Sequence, residues 1–140
     1  MTDVPVFETA AEAIAAAVGA RKSGDPMAAA SIFRSLPTAF PSKENIALAA
    51  SGLRGCGYWS EAVALLEQAI AQRAASGGLV NALAEAYLEI KDYARAAGCI
   101  ERYLAQVPDN AAMWIALGNI HGRGGDWAAA EQAYARSLSL

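Results

Sequence analysis

Apolar residues recur along this chain at helical spacing, and the clearest case runs from Gly77 to Asn110. One stripe is Val80, Leu83, Ala84 and Tyr87; a second is Ala96, Ile100, Tyr103 and Leu104. Residues three and four apart share one face of a helix, so each stripe predicts an amphipathic helix with one buried side. The polar pair Lys91-Asp92 between them predicts a short turn, and Pro108 closes the unit. The result is a predicted helical hairpin of about 34 residues, a length typical of stacked helix-pair repeats.

The same alternation extends in both directions. Residues 111–140 repeat it, with Trp114, Leu117, Gly118 and His121 on the first stripe and Ala130, Tyr134 and Leu138 on the second. Upstream, Ile46, Ala49, Ala50 and Leu53 form one stripe, and Ala62, Leu65, Leu66, Ala69 and Ile70 its partner. The first unit is degenerate: Ala13, Ala16, Ala17 and Ala20 precede Ala29, Ile32, Phe33 and Leu36. Eight helices of about 11 to 17 residues account for the chain, with no alternating β pattern. Each alone is marginal in water, so stability must come from one pair stacking on the next.

Punctuation supports these boundaries. Thr9-x-x-Glu12 predicts a capping box, in which each side chain satisfies the other's backbone N–H. Asp25, Ser42, Asp92 and Asp126 are predicted N-caps, and Pro26 suits a first helical position because its missing N–H costs nothing there. Pro37 and Pro41 are expected to stop the second helix, and Gly55 and Gly57 the third. Residues 1–8, with Pro5, are read as an arm before a single domain at 9–140. Its repeats fall at about 10–42, 43–76, 77–110 and 111–140.

Aligned, the units share columns. The turn column reads Pro26, Trp59, Tyr93, Trp127, and a small-residue column reads Ala29, Ala62, Ala96, Ala130, at spacings of 33, 34 and 34 residues. Two helices approach most closely at such a column, and a larger side chain there would overpack at a cost of about 1–3 kcal/mol. Trp114-x₂-Leu117-Gly118-x₂-His121 and Val80-x₂-Leu83-Ala84-x₂-Tyr87, with Ala96, Ile100 and Pro108, resemble the tetratricopeptide repeat (TPR) signature. The resemblance covers about residues 9–140. It implies an all-α, right-handed superhelical solenoid of antiparallel helix hairpins. First helices would line a concave groove, and the chain would be a binding scaffold for a protein or peptide.

On that implication, residues beside the core stripe of each first helix face the groove. They are Ile14, Val18 and Arg21 in the first unit and Ala47, Ser51 and Arg54 in the second. The third contributes Asn81, Glu85 and Leu88, and the fourth Ile115, Asn119 and Arg123. Chaperone-binding members of the family hold a C-terminal carboxylate with lysine, asparagine and arginine on successive first helices. Here Ile14, Val18, Leu48, Gly78 and Ala82 stand in those places, so that clamp is absent.

Other chemistry is sparse. His121, the single histidine, has no nucleophile or orienting acid at recognisable spacing. Gly55-Cys56-Gly57 and Gly122-Arg123-Gly124-Gly125-Asp126 follow no strand and match no phosphate-binding fingerprint; hairpin turns account for them. Cys56 and Cys99 fit neither a metal knuckle nor a redox pair. No catalytic residue, cofactor or metal is expected, and the chain is read as a non-enzyme. Net charge is −3 with no basic stripe, which argues against nucleic acid. The N-terminus lacks a basic start, and no uncharged run reaches the ~18 residues of a membrane span, so neither a signal peptide nor a membrane partner is expected and the location is read as cytoplasmic. Ser137-Leu138-Ser139-Leu140 ends inside a helical pattern without a cap. That predicts self-association through a sticky last helix, at Ala128, Ala135 and Leu138. The same ending motivates one alternative, a substrate-recruiting domain of a longer enzyme such as a glycosyltransferase; a small secretion-type chaperone of helix-pair repeats is a separate one.

Overall fold

The computed structural model describes residues 6–72 and 76–140; Met1 to Pro5 of the expected arm lie outside them. Among the described residues eight helices follow one another: α1 Ala10–Lys22, α2 Pro26–Ala39, α3 Lys43–Gly55, α4 Trp59–Gln72, α5 Gly77–Glu89, α6 Tyr93–Gln106, α7 Ala111–Arg123 and α8 Trp127–Leu138. The predicted turn column is met in full, since Pro26, Trp59, Tyr93 and Trp127 each open a helix. Packing divides the chain into two compact units, Met1–Gln72 and Arg73–Leu140. In the first, α1 packs on α2, α2 on α3 and α3 on α4; in the second, α5 packs on α6, α6 on α7 and α7 on α8.

One turn geometry recurs four times. Gly24, Gly57, Lys91 and Gly125 are left-handed, with φ of 85°, 92°, 59° and 86°. The next N–H in each reaches back five residues: Asp25 to Ala20, Tyr58 to Leu53, Asp92 to Tyr87 and Asp126 to His121, at 2.8–3.0 Å. This closes the preceding helix and satisfies its last carbonyls. Three of those four reaching residues are aspartates, and each caps the next helix, accepting from Ala28, Arg95 and Ala129 respectively. One dipeptide thus ends a helix and starts its partner.

The small-residue column lies at the hairpin centres: Ala29, Ala62 and Ala96 are 0% exposed and Ala130 1%. Around it the cores hold Ile32, Phe33, Leu36, Leu53 and Leu66 in the first unit. In the second they hold Leu79, Leu83, Tyr87, Ile100 and Leu104. Burial of each such side chain is worth about 1.5–3 kcal/mol, which stabilises helices too short to persist alone.

Four local expectations need correction. Pro37 does not stop α2; it lies inside the helix, which runs to Ala39. Its missing N–H forfeits a single bond in the last turn, and Phe40 N–H still reaches Leu36 O at 2.9 Å. Thr9 accepts from Glu12 N–H at 3.2 Å, but the Glu12 carboxylate returns to Glu8 N–H, one residue earlier than a capping box requires. Trp114 is only half-buried, and Met113 takes the inward place on α7. The indole N–H needs an acceptor and finds Pro108 O at 2.8 Å. Tyr134 and Leu138 are 37% and 88% exposed, so α8 buries Ala130 and Ala133 instead. It rests on α7 alone among its principal contacts, which leaves one face open.

Candidate functional site

In the second unit, α5 and α7 border a cleft of about 200 Å³ lined by Asn81, Ala84, Glu85, Leu88, Ala116, Asn119, Ile120 and Arg123. Asn81, Glu85, Leu88, Asn119 and Arg123 are the groove positions expected from the helix period. Ile115 is not among the lining residues and stands 45% exposed. The helix period brings them together: 81, 85 and 88 repeat along one face of α5, and 116, 119, 120 and 123 along one face of α7. Buried Ala84 and Ile120 form an apolar base, and Leu88 and Ala116 are half-buried beside it.

The polar rim is internally ordered. Asn81 Nδ2 donates to Glu85 Oε1 at 3.3 Å, one helical turn away. Asn119 accepts from the hydroxyl of Tyr134 on α8 at 2.5 Å. Tyr134 can reach inward because residue 118 is glycine: a Cβ there would stand 2.6 Å from the ring Cε1 and 2.9 Å from Cζ. Sequence reasoning placed Gly118 and Tyr134 on facing core stripes but missed the hydroxyl contact. The legible signal was the pairing of a missing side chain with an aromatic ring in facing columns. Ala116 and Ile120 were missed because they sit one step from the expected stripe.

In the first unit the predicted residues behave differently. Ile14, Val18 and Ala47 are half-buried, Arg54 is partly covered, and Ser51 is exposed. Arg21 does not stand free: its guanidinium lies against Gly55 at the end of α3, in space a Cβ would occupy. A separate cleft of about 250 Å³ is lined by Val6, Phe7, Ala13, Ser35, Leu36, Ala39 and Phe40. None of its residues belongs to the expected groove.

Elsewhere the charged groups hold structure. Arg34 makes a two-pronged contact with Glu61, Nε to Oε2 at 2.5 Å and Nη2 to Oε1 at 3.1 Å, and lies 4.7 Å from the Tyr58 ring centre. The hydrogen bond to Glu61 raises the Arg34 pKa above its ordinary value. His121 Nε2 is 3.6 Å from Glu101 Oε1, bridging α7 and α6. Among the described residues no three His, Cys, Asp or Glu side chains gather as a metal site. Nor is any described helix long and apolar enough to cross a membrane.

The comparisons fit this geometry. A tetratricopeptide repeat family model matches residues 57–120. Those residues are similar to tetratricopeptide repeat sequence. They run from the α3–α4 turn through α5 and α6 into α7 and include most of the cleft. The fold carries the TPR likeness over nearly the whole chain. MamA from Desulfovibrio magneticus RS-1 superposes with a TM-score of 0.63 at 16% identity, over 96% of this chain and 77% of that one. Another MamA crystal structure gives 0.63 at 20% identity, covering 88% and 72%. A tetratricopeptide repeat protein from Parabacteroides merdae gives 0.67 at 16% identity, covering 95% of this chain and 54% of that one. At these identities the likeness is one of fold: an all-α TPR solenoid. No curated protein sequence matches.

Proposed function

We propose that this chain is a protein-interaction scaffold that binds a peptide or partner segment on its first helices, with the α5–α7 cleft as the recognition centre. The observation that carries the reading is the cleft itself. It gathers two carboxamides, a carboxylate and a guanidinium around an apolar base on a rigid helical frame. A few placed polar groups over an apolar surface are what an orientation-specific binding site requires. Ile14, Val18, Arg21, Ala47, Ser51 and Arg54 supply a second set of contacts on the first unit's own inner helices. Catalysis is not part of the proposal; His121 is read as a residue that ties α7 to Glu101 of α6.

The test is a triple substitution, Arg54→Ala, Asn81→Ala and Asn119→Ala. Partners captured from the native lysate by the wild-type chain are purified and measured by calorimetry against both forms. Three lost hydrogen bonds at about 1 kcal/mol each predict an affinity loss of roughly 100-fold. Unchanged affinity, with helicity retained, would refute the reading.

A further inference from the structure

In the first unit the Phe33 ring of α2 fills the space that a Cβ on Gly52 of α3 would take. Both residues belong to columns of the repeat. The second helices carry Phe33, Leu66, Ile100 and Tyr134, at spacings of 33, 34 and 34 residues. The first three are buried; Tyr134, whose ring reaches Gly118 of its own hairpin, is still 37% exposed. The first helices carry Gly19, Gly52, Ala86 and Ile120 at the same spacings. There the last three are buried and Gly19 is exposed. A Cβ on Gly19 would touch nothing within 4 Å. One chain thus carries both halves of the Phe33–Gly52 type of contact unfilled, the ring on α8 and the glycine on α1.

The faces around these halves match. On α8, Trp127, Glu131, Tyr134 and Leu138 repeat at helical spacing along one exposed face. On α1, Ala11, Ala15, Gly19 and Lys22 do the same. Contacts within the chain supply the register. As Phe33 meets Gly52, Tyr134 meets Gly19. As Tyr93 of α6 lies against Gly124 after α7, Trp127 lies against Ser23, which occupies the same column after α1. Two helices so placed run antiparallel. Glu131, between Tyr134 and Trp127, then falls beside Lys22, and Leu138 beside Ala15. Large side chains meet small ones, and a carboxylate meets an ammonium.

We propose that a second copy of this chain docks its α1 on the open face of α8, so that molecules join head to tail. The occupant is a second copy because the chain itself supplies the glycine, the alanines and the cation that this face requires. Different surfaces of the two partners meet, so each contact leaves a free end on either side and association passes beyond a dimer. The inference is independent of the α5–α7 cleft.

Sedimentation velocity of the whole chain from about 10 μM to 1 mM, the range of weak protein contacts, is the test. In the wild type the average mass should rise with concentration past that of a pair of 14.5 kDa chains. Gly19→Leu fills the receiving space on α1, and Leu138→Glu puts a charge on the α8 face at a side chain that is 88% exposed. Each variant alone should stay monomeric over the whole range. Leucine is the better helix former, so Gly19→Leu should melt no lower than the wild type. Mixed one to one, the two variants have one intact α8 face and one intact α1 face between them, and should form a heterodimer that grows no further. A Gly19→Leu chain that associates like the wild type would overturn the proposal in favour of α8 pairing with itself. A wild type that is monomeric at 1 mM would overturn it as well, and would leave α8 to a different partner. Neither result bears on peptide binding at the cleft.

Discussion

Replacing Gly52 with alanine drives a methyl group into the Phe33 ring. Gly52 is buried on α3, and a Cβ there would lie 2.5 Å from Cδ1 and Cε1 of Phe33 and overlap Cζ as well. Ordinary carbon contacts need about 3.5–4.0 Å, so one partner must move by roughly 1 Å. Phe33 is 4% exposed, so its ring has no solvent side to swing into. Alanine in a helix interior gains about 1 kcal/mol over glycine. Overpacking a closed core costs about 1–3 kcal/mol, and here two helices must separate to accommodate it. With the ring enclosed and the helices forced apart, the cost falls in the upper part of that range, about 2–3 kcal/mol, and the net expectation is a loss of about 1–2 kcal/mol. With a urea m-value of about 2 kcal/mol/M, the midpoint falls by roughly 0.5–1 M. A second variant isolates the cause. Phe33→Leu removes the colliding ring atoms, so Gly52→Ala made in that background should cost about 1 kcal/mol less than in the wild type, a coupling readable in a double-mutant cycle. A midpoint equal to or above wild type, or strictly additive substitutions, would refute the reasoning.

The same substitution at Gly118 should behave differently. The colliding ring belongs to Tyr134, which is 37% exposed and can swing outward. The lost hydroxyl bond, about 1 kcal/mol, then nearly offsets the gain of alanine over glycine, so Gly118→Ala should shift stability by less than about 0.5 kcal/mol while freeing the Asn119 amide, which side-chain NMR would register. A large fall in the urea midpoint would contradict this. Lys91 is the single non-glycine among the four left-handed turn positions. Lys91→Gly removes a conformational cost of about 1–2 kcal/mol and adds unfolded-state entropy of about 0.5–1 kcal/mol, for a net gain near 0.5 kcal/mol in thermal unfolding. A lower melting temperature would show that the lysine side chain holds contacts worth more than its strain.

Much of the fold was legible because repetition supplies its own control. The alanines at 29, 62, 96 and 130 could be aligned without coordinates, and all four are buried where hairpin helices meet. The openings of α2, α6 and α8 could be read from the chain, since a turn position followed by a capping aspartate is a local matter of backbone sterics and one side-chain bond. Local rules also set the limit. Proline chemistry alone ended α2 at Pro37, whereas Leu36 lies in the core, Phe40 N–H still reaches its carbonyl, and the helix runs to Ala39. Column position alone sent Trp114 and Tyr134 inward. The indole N–H turned to Pro108, and the tyrosine hydroxyl turned to Asn119.

The sequence by itself therefore determined the helices, their turns and which face of each carries polar residues, because those depend on periodicity and near-neighbour chemistry. It also put Asn81, Glu85 and Asn119 on the helix faces that border the α5–α7 cleft. Only the tertiary structure decided how those side chains are held. Asn119 meets a hydroxyl fifteen residues away on another helix. Whether that hydroxyl can arrive depends on a Cβ that Gly118 does not have. Such choices are made by atoms that meet across the hairpin, and no spacing along the chain encodes them.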